Sequence, residues 1–135
     1  MSRVSVLALA LALCAAGCSS GNGRPVQEVK VVPDPQDGVQ RITVVAHSFW
    51  FEPNRIVVKA NQPVELKVKN GGPFVPHNLT CEAPDAGIEV DKDLGMFWDK
   101  ETAKFTPTKP GEYEFFCHKD GHAKKGMKGT IVVEP

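Results

Sequence analysis

Three residues near the carboxy terminus carry soft donor atoms at equal spacing: Cys117, His122 and Met127, each five positions from the next. On a helix, a step of five turns the side chain by about 140°, so the three would diverge. On a strand, successive steps of five fall on opposite faces. They can meet only on a loop, and Gly121 and Gly126 give that loop freedom to turn. One thiolate, one imidazole and one thioether form a soft ligand set. It suits copper, especially Cu(I), whereas Mg²⁺ and Ca²⁺ prefer oxygen. A trigonal copper site with a weak axial Met needs a second imidazole. His77, in Pro76-His77-Asn78-Leu79, is the candidate, because it opens an expected strand after a Gly/Pro loop, far in sequence from Cys117.

The elements that must bring these residues together are short strands. A length of 135 residues suits one domain with a single core. Residues 42–46 and 55–59 are rich in β-branched side chains, and residues 64–69 alternate strictly between apolar and charged. Turn signals lie between them at Glu52-Pro53-Asn54, Ala60-Asn61-Gln62-Pro63 and Asn70-Gly71-Gly72-Pro73. Further strands are expected over 77–82, 103–106, 113–116 and 129–133, and no segment shows an apolar 3.6-residue period. The pattern predicts an all-β sandwich or barrel of about seven or eight strands. Residues 83–100 read as irregular, with room for a helical turn.

Several motifs stand together. Pro76-His77-Asn78 is followed by Cys117-x4-His122-x4-Met127, with Gly111-Glu112-Tyr113-Glu114-Phe115 before the cysteine and Gly129-Thr130-Ile131-Val132-Val133 after the methionine. With Phe51-Glu52-Pro53 and the turn near Asn61, the stretch from Arg41 to Glu134 resembles the plastocyanin/azurin-type cupredoxins. That resemblance implies a Greek-key β-sandwich, one mononuclear type 1 copper per chain and electron transfer. It implies equatorial ligation by His77, Cys117 and His122, and axial ligation by Met127. Many family members have a small hydroxyl residue after the ligand cysteine, bonded to the Asn that follows the first His. Here that position is His118, so Asn78 lacks its usual partner. A binuclear copper loop would need a second Cys at position 121, which is Gly.

The amino terminus reads as a targeting segment. Arg3 precedes an apolar run over residues 4–13, too short to span a bilayer in a helix. Ala15-Ala16-Gly17-Cys18 resembles the lipobox of bacterial lipoproteins, which implies a signal peptide over 1–17 and lipidation of Cys18. Ordinary cleavage nearby, leaving a plain thiol at Cys18, is the other reading. Residues 18–40 are polar and rich in Gly and Pro, the composition of a flexible tether, with Val29, Val31 and Val32 able to add a short edge strand. The folded domain is then expected over 41–135, at the bacterial cell envelope, periplasmic or otherwise extracytoplasmic. The four cysteines do not form two disulfides on this reading. Cys14 leaves with the signal peptide, and Cys81 lies about 13 Å along its strand from His77, too far to bridge a metal-bound Cys117. Cys81 is expected as a buried free thiol.

Sixteen basic and 16 acidic residues balance, which removes the electrostatic case for nucleic acid. The balance is uneven along the chain. Residues 82–101 are mainly acidic, while Lys119, Lys124, Lys125 and Lys128 surround the ligand loop with only Asp120 nearby in sequence. Those lysines either solubilise the loop or steer it toward an acidic patch on a cytochrome or reductase. His122 is expected nearest the surface as the electron port, flanked by Pro73, Phe74, Val75, Pro76 and Ala123. His47 and His118 are expected to be structural or solvated, and Met96 to pack in the core. The expected function is a monomeric, membrane-tethered electron carrier rather than an enzyme. A copper-delivery or buffering module is the alternative. Copper catalysis of the nitrite reductase or oxidase type needs further His clusters, and four His leave too few. A zinc site would leave Met127 without a role.

Overall fold

The computed structural model describes residues 24–135. The signal-peptide and Cys18 readings lie outside the described residues. Ten strands form two facing sheets: β1 (Glu28–Lys30), β2 (Gln40–His47), β3 (Trp50–Glu52), β4 (Arg55–Lys59), β5 (Val64–Asn70), β6 (His77–Ala83), β7 (Ile88–Leu94), β8 (Lys100–Phe105), β9 (Gly111–Phe116) and β10 (Lys128–Glu134). One sheet has the order β1-β4-β10-β9-β6-β7 and the other β3-β2-β5-β8. The parallel pairs β2–β5 and β4–β10 require connections that cross between sheets, as a Greek-key sandwich demands.

Period-2 patterning explains the sandwich. In β5, Val64, Leu66 and Val68 are buried and alternate with Glu65, Lys67 and Lys69. Phe51 of the smaller sheet meets Phe115 of the larger one edge to face, with centroids 5.2 Å apart. Among the described residues, the strands outnumber the seven or eight expected. Two of them, β1 and β3, are only three residues long. Another, β7, occupies the stretch expected to be irregular. Its buried face is Ile88, Val90 and Leu94, interleaved with Glu89, Asp91 and Asp93, whose low strand propensity hid the alternation. The allowance for a helical turn is met by a 3₁₀ turn at Pro84–Ala86.

The short edge strand allowed for near Val29 is present as β1, at the edge of the larger sheet, while the rest of residues 24–40 is held to the domain more than a flexible tether would be. Strand β1 pairs in parallel with β4, and Val31 enters the core. Gln40 is fully buried, its side-chain amide donating to the Lys59 carbonyl while its oxygen accepts the Lys59 N–H. These partners are remote in sequence, so composition alone could not reveal them.

Candidate metal centre

The loop before β6 delivers His77. It is pinned by the fully buried Asn70, whose amide donates to the carbonyls of Val75 and Gly95, each at 2.8 Å. β9 delivers Cys117, and the chain then leaves the sheet until Lys128. Gly121 and Gly126 turn that excursion at φ 71° and 91°, conformations that favour glycine. The Cys117 N–H donates to the Met127 carbonyl at 3.1 Å, and the Met127 N–H donates to the His122 carbonyl at 3.2 Å. The loop is thereby closed on itself, as the five-residue spacing required.

Three sequence-predicted residues converge. Donor atoms of His77, Cys117 and His122 lie within 4.8 Å of one another, and the Cys117 Sγ is 3.4 Å from the His122 Nδ1. The two imidazoles are 5.3 Å apart between centroids. Met127 is completely buried across the loop from Cys117, and its backbone is bonded to both Cys117 and His122. Exposure separates the four: His77 is 1% exposed and Cys117 and Met127 are 0%, whereas His122 is half-buried. His122 is thus the ligand candidate nearest solvent.

Burial sets the protonation of the site. It lowers the His77 pKa to about 4, with smaller contributions from His122 and His47. Burial also lowers that of His122, with Lys125 adding to the effect. Both imidazoles are therefore neutral at pH 7 and able to ligate. Burial raises the Cys117 thiol, opposed by backbone N–H groups of Lys119 and Asn78. The metal-free thiol keeps its proton, which a bound metal would displace.

The residues fit copper. The His77 Nδ1 is buried with no hydrogen-bond partner, an arrangement that costs about 1–3 kcal/mol unless the nitrogen serves another purpose. Two neutral imidazole donors and a thiol that becomes thiolate, with a buried thioether on the same loop, match the soft set that copper prefers. Residues 5–133 match the family model of the cupredoxin-like domain. The chain belongs to the cupredoxins. Its donor set fits one copper ion per chain.

Solved structures of similar fold include copper proteins. The reduced auracyanin of the photosynthetic bacterium Roseiflexus castenholzii is 22% identical with a TM-score of 0.61, covering 70% of this chain and 97% of its own. The metal-binding domain of the Streptococcus pneumoniae Cu(I)-exporting P-type ATPase CopA, solved with Cu(I), is 22% identical with a TM-score of 0.64, covering 82% and 98%. Auracyanin A of Chloroflexus aurantiacus, a blue copper protein, is 21% identical with a TM-score of 0.53, covering 72% and 100%. No curated protein matches the chain.

This cupredoxin departs from the sequence expectations around the site. Asn78 does find a partner across the sheet. Its Oδ1 accepts the backbone N–H of His118 at 3.4 Å, while its own N–H donates to the Cys117 Sγ at 3.3 Å. His118 points outward, its Nε2 3.5 Å from an Asp91 oxygen. His47 is structural, as expected: it stacks on Trp50 at 4.1 Å and bonds Glu52 at 3.0 Å. Cys81 is buried and free, and burial raises its pKa to about 11.

Met96 is not in the core. It is 49% exposed, beside Phe97 at 67% and Trp98 at 56%. The turn holding them takes φ near 60° at Phe97 and Trp98, which throws their side chains outward. The Phe97 N–H donates to the Pro73 carbonyl at 3.0 Å, joining this turn to the loop that bears the exposed Phe74. The ligand-loop lysines are also less isolated than their sequence neighbours imply. Lys119 pairs with Asp93 at 2.7 Å and Lys128 with Glu114 at 3.3 Å. Phe49 has no sequence signal of its own. Its ring meets His122 edge-on at 4.9 Å, and the Lys125 ammonium lies 3.9 Å from its centre on another side.

Proposed function

We propose that the protein is a one-electron carrier with a single type 1 copper centre, ligated equatorially by His77, Cys117 and His122 and axially by Met127. The supporting observation is the exposure pattern: three ligand candidates are sealed and one, His122, reaches toward solvent. A bound copper would supply a Cu(I)/Cu(II) couple. The chain holds its imidazoles neutral, excludes water and keeps the loop closed, so little would move when the charge changes. Electrons would enter and leave through the His122 edge, beside Phe49.

Partner contact would use the apolar rim formed by Phe74, Met96, Phe97 and Trp98, a small patch suited to a brief redox encounter with a cytochrome or reductase. No nucleic acid and no catalysis enter this reading. Among the described residues, no helix is long and apolar enough to cross a membrane. The Ala15-Ala16-Gly17-Cys18 motif supports lipid anchoring at the cell envelope.

Adding Cu(II) to the purified protein tests the centre. An intense blue charge-transfer band, absent in Cys117→Ser, is expected, and a colourless wild type refutes the thiolate site. Met127→Leu should keep the colour and raise the potential, because losing a weak donor favours Cu(I). Reversible voltammetry with copper retained supports the carrier. Rapid copper loss without a stable couple would favour delivery or buffering instead.

A further inference from the structure

We propose that Asp91, on β7, is a positioning residue for the copper thiolate, acting through Asn78. The inference rests on the copper reading of the site. Asn78 follows ligand His77; its backbone N–H donates to the ligand sulfur, and its side-chain Oδ1 accepts the N–H of the residue after Cys117, so the orientation of the side chain bears on how Cys117 is held. An amide can rotate end for end, exchanging donor and acceptor, unless its neighbours discriminate between them. Asp91 discriminates. An ionised carboxylate can only accept, and its Oδ1 takes the Asn78 Nδ2–H at 2.7 Å.

That bond leaves the Asn78 Oδ1 facing the other way. There it accepts from the Thr80 hydroxyl at 2.7 Å and from the His118 backbone N–H at 3.4 Å. The Thr80 hydroxyl also lies 3.0 Å from the same Asp91 oxygen, so its single hydrogen is shared between the Asn78 amide oxygen and the carboxylate. The chain of contacts runs from β7 through β6 to the residue after Cys117. It spans the register pairs Asn78↔Asp93 and Thr80↔Asp91 and reaches β9 at Thr80↔Phe116. The usual side-chain hydroxyl after the ligand cysteine is absent here. An exposed carboxylate on the neighbouring strand supplies the missing constraint.

The test compares Asp91→Asn, which keeps an acceptor but loses the charge, with Asp91→Ala, which loses both. Asp91 is largely solvent-exposed, with 66% side-chain accessibility, so both chains should fold with similar melting temperatures. In metal-free protein, the Asn78 side-chain amide protons should exchange with solvent about tenfold faster in Asp91→Ala, the loss expected for one good hydrogen bond. Asp91→Asn should fall between wild type and Asp91→Ala, because its amide can offer Asn78 either an acceptor or a donor. In copper-loaded protein, Asp91→Ala should shift the blue band and the copper hyperfine splitting, and Asp91→Asn should shift both by less.

Two controls separate other causes. Asp93→Asn removes the same charge from the same strand, and His118→Ala removes the ring that also approaches Asp91. Both should leave the Asn78 amide in place. The proposal is overturned if Asp91→Ala leaves amide exchange and spectra unchanged, or if either control reproduces its effect. Failure of the wild type to turn blue would remove the copper reading, while the metal-free exchange measurement would still decide whether Asp91 orients Asn78.

Discussion

Gly129→Ala should be the most damaging single methyl near the site. Gly129 lies on β10 opposite Phe115, two residues past Met127. A Cβ at this position would sit 2.2 Å from the Phe115 Cζ, 2.6 Å from its Cε2 and 2.7 Å from the backbone oxygen of Asn54. Ordinary contact begins at 3.4 Å, so the ring tip must retreat by about 1.2 Å (3.4 − 2.2). It has nowhere open to go, since Phe115 is fully buried against Phe51. The Asn54 oxygen is tied as well, accepting the Thr130 N–H at 2.9 Å. We expect about 3 kcal/mol of destabilisation, the upper part of the overpacking range. That corresponds to a fall of roughly 10–15 °C in Tm. Denaturant unfolding of metal-free protein measures it, with an unchanged m-value showing that the folded state alone is affected. A double-mutant cycle then identifies the cause. Phe115→Leu alone should cost about 1–2 kcal/mol, and additivity would put the double variant near 4–5 kcal/mol. Leucine lacks the two ring atoms that clash, so the double variant should instead cost about 2–3 kcal/mol. The Asn54 contact explains why relief is incomplete. Costs that add within about 0.5 kcal/mol would refute the ring clash as the mechanism.

The Cys81 thiol should resist iodoacetamide at pH 8 in the folded, copper-loaded protein. A pKa near 11 leaves about one thiolate in a thousand even before burial limits access; labelling of Cys81 without unfolding, read by mass spectrometry, would contradict this. Lys124 makes no ion pair among the described residues, so Lys124→Ala should slow oxidation of the reduced protein by anionic hexacyanoferrate(III) by about twofold at low salt. Asp93→Asn should speed the same stopped-flow reaction by a similar factor, because Asp93 cancels Lys119. Both differences should vanish at high salt. Removal of Cu(I) by a colorimetric chelator should reach a rate independent of chelator concentration, set by opening of the loop; a rate that stays proportional to chelator would show a site open to direct attack.

The four ligand candidates were legible because their chemistry is rare and their spacing admits only a loop. Strand β5 was equally plain, since its alternation is strict and its outward residues are charged. What stayed hidden depended on partners remote in sequence or on unusual backbone. Gln40 looks like linker until β4 and the turn after it supply its hydrogen bonds, whereas the valines at 29, 31 and 32 already pointed to the edge strand β1. Met96 looks like core until the turn that holds it, with positive φ at Phe97 and Trp98, leaves it exposed. β7 was obscured by carboxylates at alternate positions, and those carboxylates have partners. Asp91 holds Asn78, and Asp93 holds Lys119.

The proposed carrier role is supported by burial, which would make the site a poor exchange point for copper. Handing copper to another protein proceeds by stepwise ligand exchange, which needs an incoming donor to reach the metal. Here His77, Cys117 and Met127 are sealed, and the approach past His122 is narrowed by Phe49. The Cys117–Met127 and Met127–His122 backbone bonds would have to break before a second face opened. An electron needs no such opening. It can pass through a half-buried imidazole while every ligand stays in place. A centre built to release copper would expose at least one soft donor, thiol or thioether. Among the ligand candidates only the His122 imidazole edge reaches toward solvent, which supports the proposed carrier role and is what the chelator measurement would test.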